Sequence, residues 1–312
     1  MRTRRLGSTE LRVSELGFGC FAIGGNRSGN SYGPTDDATS IAAVRTALEL
    51  GYRFFDTADV YGLGHSETLL GRALREAGHP SDVVVATKGG ARFDGERVRA
   101  DFSGRHLRSA VEASLRRLGR DRVELYQLHD PPLSVLRAGA VFDVLDGLVA
   151  EGRIDHYGVS VHTPPQVAAA LAHPRVRTVQ IPFSLLTQVE PQDAWEAVFA
   201  DARRRDVGLI AREPLAAGFL SGRHAGGRTY GAGDLRGRWP PARRRIYIAL
   251  AEVFRHHERP DRTMAQAALR FVLDEPAFAT TIVGIKTPAQ ARENVAATGL
   301  PPFAELEAGQ EM

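Results

Sequence analysis

Asp56, Tyr61, Lys88 and His129 are the residues of this sequence whose types and spacing could do chemistry together. Each closes, or closely follows, a short apolar run of strand-like composition. The second such run leads through Phe54-Phe55-Asp56-Thr57-Ala58-Asp59-Val60-Tyr61-Gly62. The third ends Val85-Ala86-Thr87-Lys88, and the fourth ends Leu125-Tyr126-Gln127-Leu128-His129-Asp130. A carboxylate, a phenol, an ammonium and an imidazole at successive strand ends suit carbonyl reduction. The carbonyl oxygen gains negative charge as hydride reaches carbon, so it needs a proton and an electrostatic clamp. In this reading Tyr61 is the proton donor. Lys88 lowers its pKa toward neutrality, because a nearby ammonium favours phenolate. Asp56 pairs with Lys88 and holds it, and His129 orients the carbonyl by hydrogen bonding.

Composition singles out Lys88 a second time. Of 40 Lys and Arg residues, only Lys88 and Lys286 are lysines. A lysine kept against so strong an arginine bias marks a place where a compact ammonium does what a guanidinium does not.

The elements that must position these groups follow a regular alternation. Apolar runs at 15–20, 53–56, 83–88, 123–129, 156–160, 178–181, 207–211 and 280–284 read as eight strands. Amphipathic stretches at 37–50, 66–77, 105–118, 135–150, 165–171, 192–205, 263–274 and 288–297 read as eight helices. Strands alternating with helices predict a parallel sheet. At 312 residues a closed (β/α)8 TIM barrel, one α/β domain over residues 1–312, is the natural solution, with catalytic groups at the C-terminal strand ends. Ahead of it, Thr3 to Leu6 and Leu11 to Ser14 flank a Gly7-Ser8-Thr9-Glu10 turn, predicting a β-hairpin that plugs the barrel bottom. Residues 222–242 form a Gly/Arg/Pro-rich loop after the seventh strand, of a length that often marks a lid. From residue 300 onward no clear element is expected. A doubly wound fold would want a Gly-rich turn leading straight into a helix. Gly17-Phe18-Gly19-Cys20 matches that only in part, and the next helix starts near residue 36.

Other classes are disfavoured. The formal net charge is only +3, and the basic runs at 203–205 and 243–245 lie in helix-like stretches, so solvated faces are expected and not nucleic-acid binding. One cysteine, Cys20, allows no internal disulfide. There is no apolar run of membrane-spanning length and no signal-peptide pattern at the start, so a cytoplasmic protein without membrane partners is expected. His256-His257 point to different helix faces, and no metal site is expected.

Several motifs together resemble the aldo-keto reductase family, nearly end to end. They are Leu16-Gly17-Phe18-Gly19-Cys20; Phe55-Asp56-Thr57-Ala58 with Tyr61-Gly62, Ser66-Glu67 and Leu70-Gly71; Thr87-Lys88; and Leu128-His129. The resemblance implies the tetrad Asp56, Tyr61, Lys88 and His129 in the roles above. It also implies NADP(H) bound in extended form on the barrel. Gly158-Val159-Ser160 is similar to the family's Gly-Val-Ser-Asn motif. Ser160 would hold the nicotinamide carboxamide, with Val161 replacing the usual Asn and Gln180 as second carboxamide partner. Phe183 stands where a tyrosine usually stacks on the nicotinamide. Gly19, Cys20 and Phe21 would line the pocket floor, although Cys20 also reads as a small buried apolar residue. Arg212, Pro214, Leu215, Gly218 and Leu220 resemble the segment that covers the pyrophosphate. Gly284, Lys286, Thr287, Gln290, Glu293 and Asn294 resemble the adenosine site. Lys286, just before an expected helix N-terminus, would meet a 2′-phosphate and favour NADP over NAD. The implied substrate is a small carbonyl compound or sugar. Two alternatives stay open: an NADP(H)-binding regulatory subunit with slow turnover, and an NAD(P)-linked sugar dehydrogenase. Trp239, in the long loop, would either reach the substrate or pack.

Overall fold

Side chains alternate across each strand, and that parity divides the apolar runs into two sets. Phe54, Val84, Ala86, Leu125, Ile210 and Ile282 form one buried cluster. Phe18, Phe55, Val85, Tyr126, Val159, Ile181, Ala211 and Val283 belong to another, shared with the helices. Two opposed apolar faces per strand require cover on both sides, and a barrel ringed by helices provides it.

The computed structural model describes residues 1–25, 31–94, 97–189, 193–224, 229–231 and 233–308. It opens with a hairpin of β1 (Thr3–Arg5) and β2 (Arg12–Ser14). The barrel strands are β3 (Leu16–Gly19), β4 (Phe54–Asp56), β5 (Val84–Gly89), β8 (Val123–His129), β9 (Ile154–Ser160), β10 (Thr178–Pro182), β11 (Gly208–Arg212) and β12 (Phe278–Gly284). All eight are parallel and close in sequence order, β12 pairing back to β3. A second hairpin, β6 (Ala91–Asp94) with β7 (Arg97–Ala100), follows β5. The helices are α1 (Asp37–Glu49), α2 (His65–Glu76), α3 (Gly104–Leu118), α4 (Leu133–Ala138), α5 (Ala140–Ala150), α6 (Pro164–Leu171), α7 (Asp193–Arg204), α8 (Pro241–Val253), α9 (Met264–Asp274), α10 (Pro288–Ala296) and α11 (Phe303–Ala308).

The barrel is therefore as expected, and the first hairpin does close its base. Leu6 and Val13 join the interior cluster. Gly7, at φ +56, packs where any Cβ would sit 2.1 Å from the Gly208 nitrogen. Three expectations need correction. The helix expected over 135–150 is two helices, because Gly139 at φ 77 breaks it. The loop expected over 222–242 carries a 3-10 turn, Leu235–Arg238, and its last two residues begin α8 with Pro241 at the first helical position; its residues 225–228 and 232 lie outside the described residues. The chain after residue 300 forms α11, with residues 309–312 likewise outside. The helix expected from residue 192 is described from Asp193, position 192 being outside the described residues. Among the described residues, no helix is long and apolar enough to cross a membrane.

Candidate active site

Asp56, Lys88, His129, Ser160 and Arg212 end the inward-facing series of their strands, and Gln180 lies one inward position before the end of β10. The strand register lines them up along one rim, with Lys88 opposite Gln127, His129 opposite Ser160, and Ser160 opposite Gln180. Tyr61 comes from the loop between β4 and α2. That loop turns sharply at Gly62, φ +60, where a Cβ would lie 1.9 Å from the Gly24 carbonyl oxygen. Ser66 anchors the start of α2 by donating to the Cys20 carbonyl at 2.8 Å. Glu67 accepts from Arg117 at 2.6 Å and from Thr87. The loop around Tyr61 is thus held from the 3-10 turn after β3, from β5 and from α3.

Lys88 is fully buried and directs its three donors to three acceptors: the Asp56 carboxylate, the Thr57 carbonyl at 3.0 Å and the Tyr61 hydroxyl at 3.2 Å. An ammonium has three N–H groups, so its capacity is filled. Asp56 also accepts from Gln180 at 2.8 Å and Gln127 at 3.1 Å. Ser160 donates to Gln180 at 3.1 Å. The His129 ring stands edge-on to Tyr61 with centroids 5.7 Å apart. The tetrad expected from sequence therefore meets in one place.

Burial tends to lower Lys88, but Asp56 and Tyr61 outweigh it, and the ammonium lies above its ordinary value. Burial, with Lys88, Arg212 and His162 adding to it, holds His129 well below the usual histidine range. Its imidazole is neutral at pH 7, with one N–H to donate. Tyr61 departs from expectation. Burial pushes the phenol above its ordinary value, and the opposing pull of Lys88 is smaller. The group is a protonated acid at neutral pH rather than a phenol poised near ionisation.

A cavity of about 560 Å³ runs from these groups to the start of α10. Gly19, Phe21, Asp56, Tyr61, His129, Ser160, Gln180, Arg212, Pro214, Leu215, Gly218, Gly284, Lys286 and Gln290 line it. Other expected residues do not. Phe183 is turned outward, stacked on Phe271 at 5.5 Å and close to Phe199 and Phe278. It follows the last residue of β10, and its ring contacts place it outside the cavity wall. Cys20 is buried in the strand–helix core. Leu220 is buried in a separate cluster with Phe219 and Ala216. Thr287 caps α10, accepting from the Gln290 amide. Asn294 is buried on α10, and Glu293 pairs with Arg223 at 2.7 Å, so neither lines the cavity. Trp239 packs against Phe219 and Tyr247, with Arg243 over its ring at 4.0 Å.

The cavity also holds residues the sequence did not assign. Arg223, His224 and Arg236 line the end near α10. All three lie in or beside the 222–242 loop, whose basic composition was the available signal. At the other end, His162 and Glu213, likewise unassigned, join Asp130, expected in the pocket wall, and Arg212 in a polar rim. Arg212 pairs with Glu213 and donates to a His162 ring nitrogen at 2.9 Å, and His162 lies 3.6 Å from Asp130. The Arg212 Nε, buried among the described residues, has no hydrogen-bond partner there. Lys286 donates to the carbonyls of Tyr32 at 2.5 Å, Gly33 at 3.2 Å and Pro34 at 3.4 Å. No group of three or more His, Cys, Asp or Glu side chains among the described residues could hold a metal ion.

The arrangement supplies a proton, a fixed positive charge behind it and a neutral donor beside it, at the mouth of a channel long enough for an extended ligand. Residues 16–308 match the model of the aldo/keto reductase family. An oxidoreductase of Bacillus subtilis is 30% identical over 98% of this chain and 94% of its own length. An L-galactose dehydrogenase of Arabidopsis thaliana is 29% identical over 94% of this chain and 87% of its own. Among solved structures, the holo form of an aldo-keto reductase from Bacillus halodurans superposes with a TM-score of 0.79 at 29% identity, covering 98% of this chain and 96% of that one. A glycerol dehydrogenase of Gluconobacter oxydans gives 0.77 at 28% identity, covering 98% and 93%.

Proposed function

The chain belongs to the aldo/keto reductase family and is an oxidoreductase, and from that premise we propose that it moves a hydride between NADP(H) and the carbonyl or alcohol carbon of a small hydroxylated substrate. The observation that carries this reading is the Asp56–Lys88–Tyr61 chain of contacts at the cavity mouth. Bound in the channel, the dinucleotide supplies or takes the hydride. Every proton is handled by the protein. Tyr61 gives its proton to the carbonyl oxygen. Lys88, already bonded to the phenol oxygen, stabilises the phenolate left behind, and Asp56 keeps the ammonium charged and in place. Neutral His129 donates an N–H toward the same carbonyl oxygen, adding to the clamp on developing charge.

The channel fits such a cofactor. Gly19 and Gly284 leave its wall free of side chains, Ser160 and Gln180 present polar groups at one end, and Arg223, Arg236 and Lys286 bring positive charge to the other. That charge favours a phosphorylated dinucleotide and supports NADP(H) over NAD(H). Burial, with Arg236 close by, holds Lys286 below its ordinary value, because both disfavour the charged ammonium. The rim of Asp130, His162, Arg212 and Glu213 offers both donors and acceptors, which suits a hydroxylated substrate better than an apolar aldehyde. Two relatives named for polyol and sugar substrates, the glycerol and L-galactose dehydrogenases, agree with that choice. A regulatory subunit with slow turnover is disfavoured by the complete set of Tyr61, Lys88, Asp56 and His129 contacts.

Replacing Tyr61 tests the mechanism. In Tyr61→Phe, reductive turnover falls by roughly 10²–10⁴-fold, the usual weight of a general acid. NADPH affinity, followed by protein fluorescence, stays near that of the wild type because the phenol serves the carbonyl end. Turnover within a few-fold of wild type would remove Tyr61 from the mechanism. Parallel titrations with NADPH and NADH decide the cofactor, and stronger NADH binding would overturn the phosphate argument.

A further inference from the structure

Tyr32 lies outside every role described above, yet it lines the cavity, between Arg236 and Phe21. Its ring stands edge-on to Phe21 with centroids 5.0 Å apart, and Phe21 stands edge-on to Tyr61 at 5.0 Å. Tyr32, Phe21 and Tyr61 thus form one aromatic wall leading to the proton donor. Glu213, Arg236, Tyr61 and Arg212 all act electrostatically on the Tyr32 phenol, and burial pushes its pKa above the ordinary value. It remains a neutral O–H at any working pH, able both to donate and to accept.

What holds Tyr32 there comes from the α10 side of the channel. Its main chain bridges to Asp234, and the Leu235 amide donates to the Ser31 carbonyl at 2.7 Å, so the two loops meet as a strap. Arg236 stacks over the Tyr32 ring at 5.0 Å while paired with Asp234. Gly33, at φ +88, turns the backbone so that three successive carbonyls converge on the Lys286 ammonium.

We propose that Tyr32 is a substrate-contacting, specificity-determining residue that hydrogen-bonds a substrate hydroxyl, and that Lys286 is its positioning residue, acting through the 32–34 carbonyls. This rests on the reductase reading above and extends it. Lys286 then serves substrate recognition even when no 2′-phosphate is present, which a residue that only binds phosphate cannot do.

The experiment compares glyceraldehyde with propionaldehyde, which shares its carbon chain and lacks its hydroxyls. Wild type and Tyr32→Phe are assayed at saturating NADPH, with the NADPH dissociation constant followed separately by fluorescence. The expected result is a KM for glyceraldehyde raised about three- to tenfold in Tyr32→Phe, the weight of one hydrogen bond. The kcat, the KM for propionaldehyde and the NADPH affinity stay unchanged. Lys286→Met is then assayed at saturating NADH, which has no 2′-phosphate. There the glyceraldehyde KM rises by a similar factor, Lys286→Arg restores part of it, and adding Tyr32→Phe to Lys286→Met raises it no further. An unchanged glyceraldehyde KM in Tyr32→Phe overturns the Tyr32 assignment, as does an equal rise for both aldehydes. A normal KM for Lys286→Met with NADH overturns the positioning role alone. A wild-type protein that reduces neither aldehyde overturns the reductase reading and this inference with it.

Discussion

Tyr61 and Lys88 show how two neighbours can share a hydrogen bond and still titrate against simple expectation. The ammonium pulls the phenol down, but burial of the same pair pushes it up by more. The consequence is a direction of use. A protonated phenol is ready to donate over the whole neutral range, whereas alcohol oxidation needs the phenolate as base. Reductive kcat/KM is therefore expected to stay level from neutral pH well into the alkaline range, while oxidative kcat/KM climbs with pH over the same interval. Initial rates in both directions across about pH 6–10 check this. A reductive limb falling near pH 7 would mean that Lys88 wins over burial. The residue types and their strand-end positions were legible in the sequence because they follow from where apolar runs stop. The sign of the Tyr61 shift was not, because it depends on how much water the fold removes.

At the scale of elements, parity within a strand separates the expected site residues that line the cavity from those that do not. Asp56, His129, Ser160, Gln180 and Arg212 obey it; Phe183, an odd number of steps from Gln180, stacks among the outer phenylalanines. Cys20 and Leu220 likewise belong to packed layers whose partners are distant in sequence. The loop from β4 to α2 carries a further cost. Asp59 is 2% exposed, and neither of its oxygens has a hydrogen-bond partner among the described residues. Burial, with Glu67 adding to it, raises its pKa to about 8. An unfolded aspartate titrates near ~4, so the folded state binds this proton more tightly. The stabilisation is complete below the unfolded value, declines as pH rises above it, and is gone once pH passes about 8. Asp59→Asn, which cannot ionise, should therefore lose less Tm than wild type between about pH 5 and pH 9 in calorimetry, an interval that takes in most of that decline. Equal losses in the two proteins would place the titrating group elsewhere.

Over the whole molecule, the barrel was readable because its repeat is local: each strand, turn and helix announces itself within some 40 residues of chain. The closure of the channel was not, because it joins segments far apart in sequence. Lys286 reaches Tyr32 across 254 positions, and Asp234 approaches the same turn from a loop whose composition reveals only that it is basic and irregular. The two lysines share one further property. Lys88 is fully buried, and Lys286 is half-buried with its donors on three carbonyls. For an amine-directed acylating reagent both lysine side chains are therefore closed, one by burial and one by its three bonds. Acylation at Lys286 requires its carbonyl bonds to break first, so the rate at which that residue is labelled, read by peptide mass spectrometry, is a clock for the parting of the strap. Labelling far slower than that of a free lysine derivative would time that opening in solution, and labelling as fast would mean that the clasp is rarely shut.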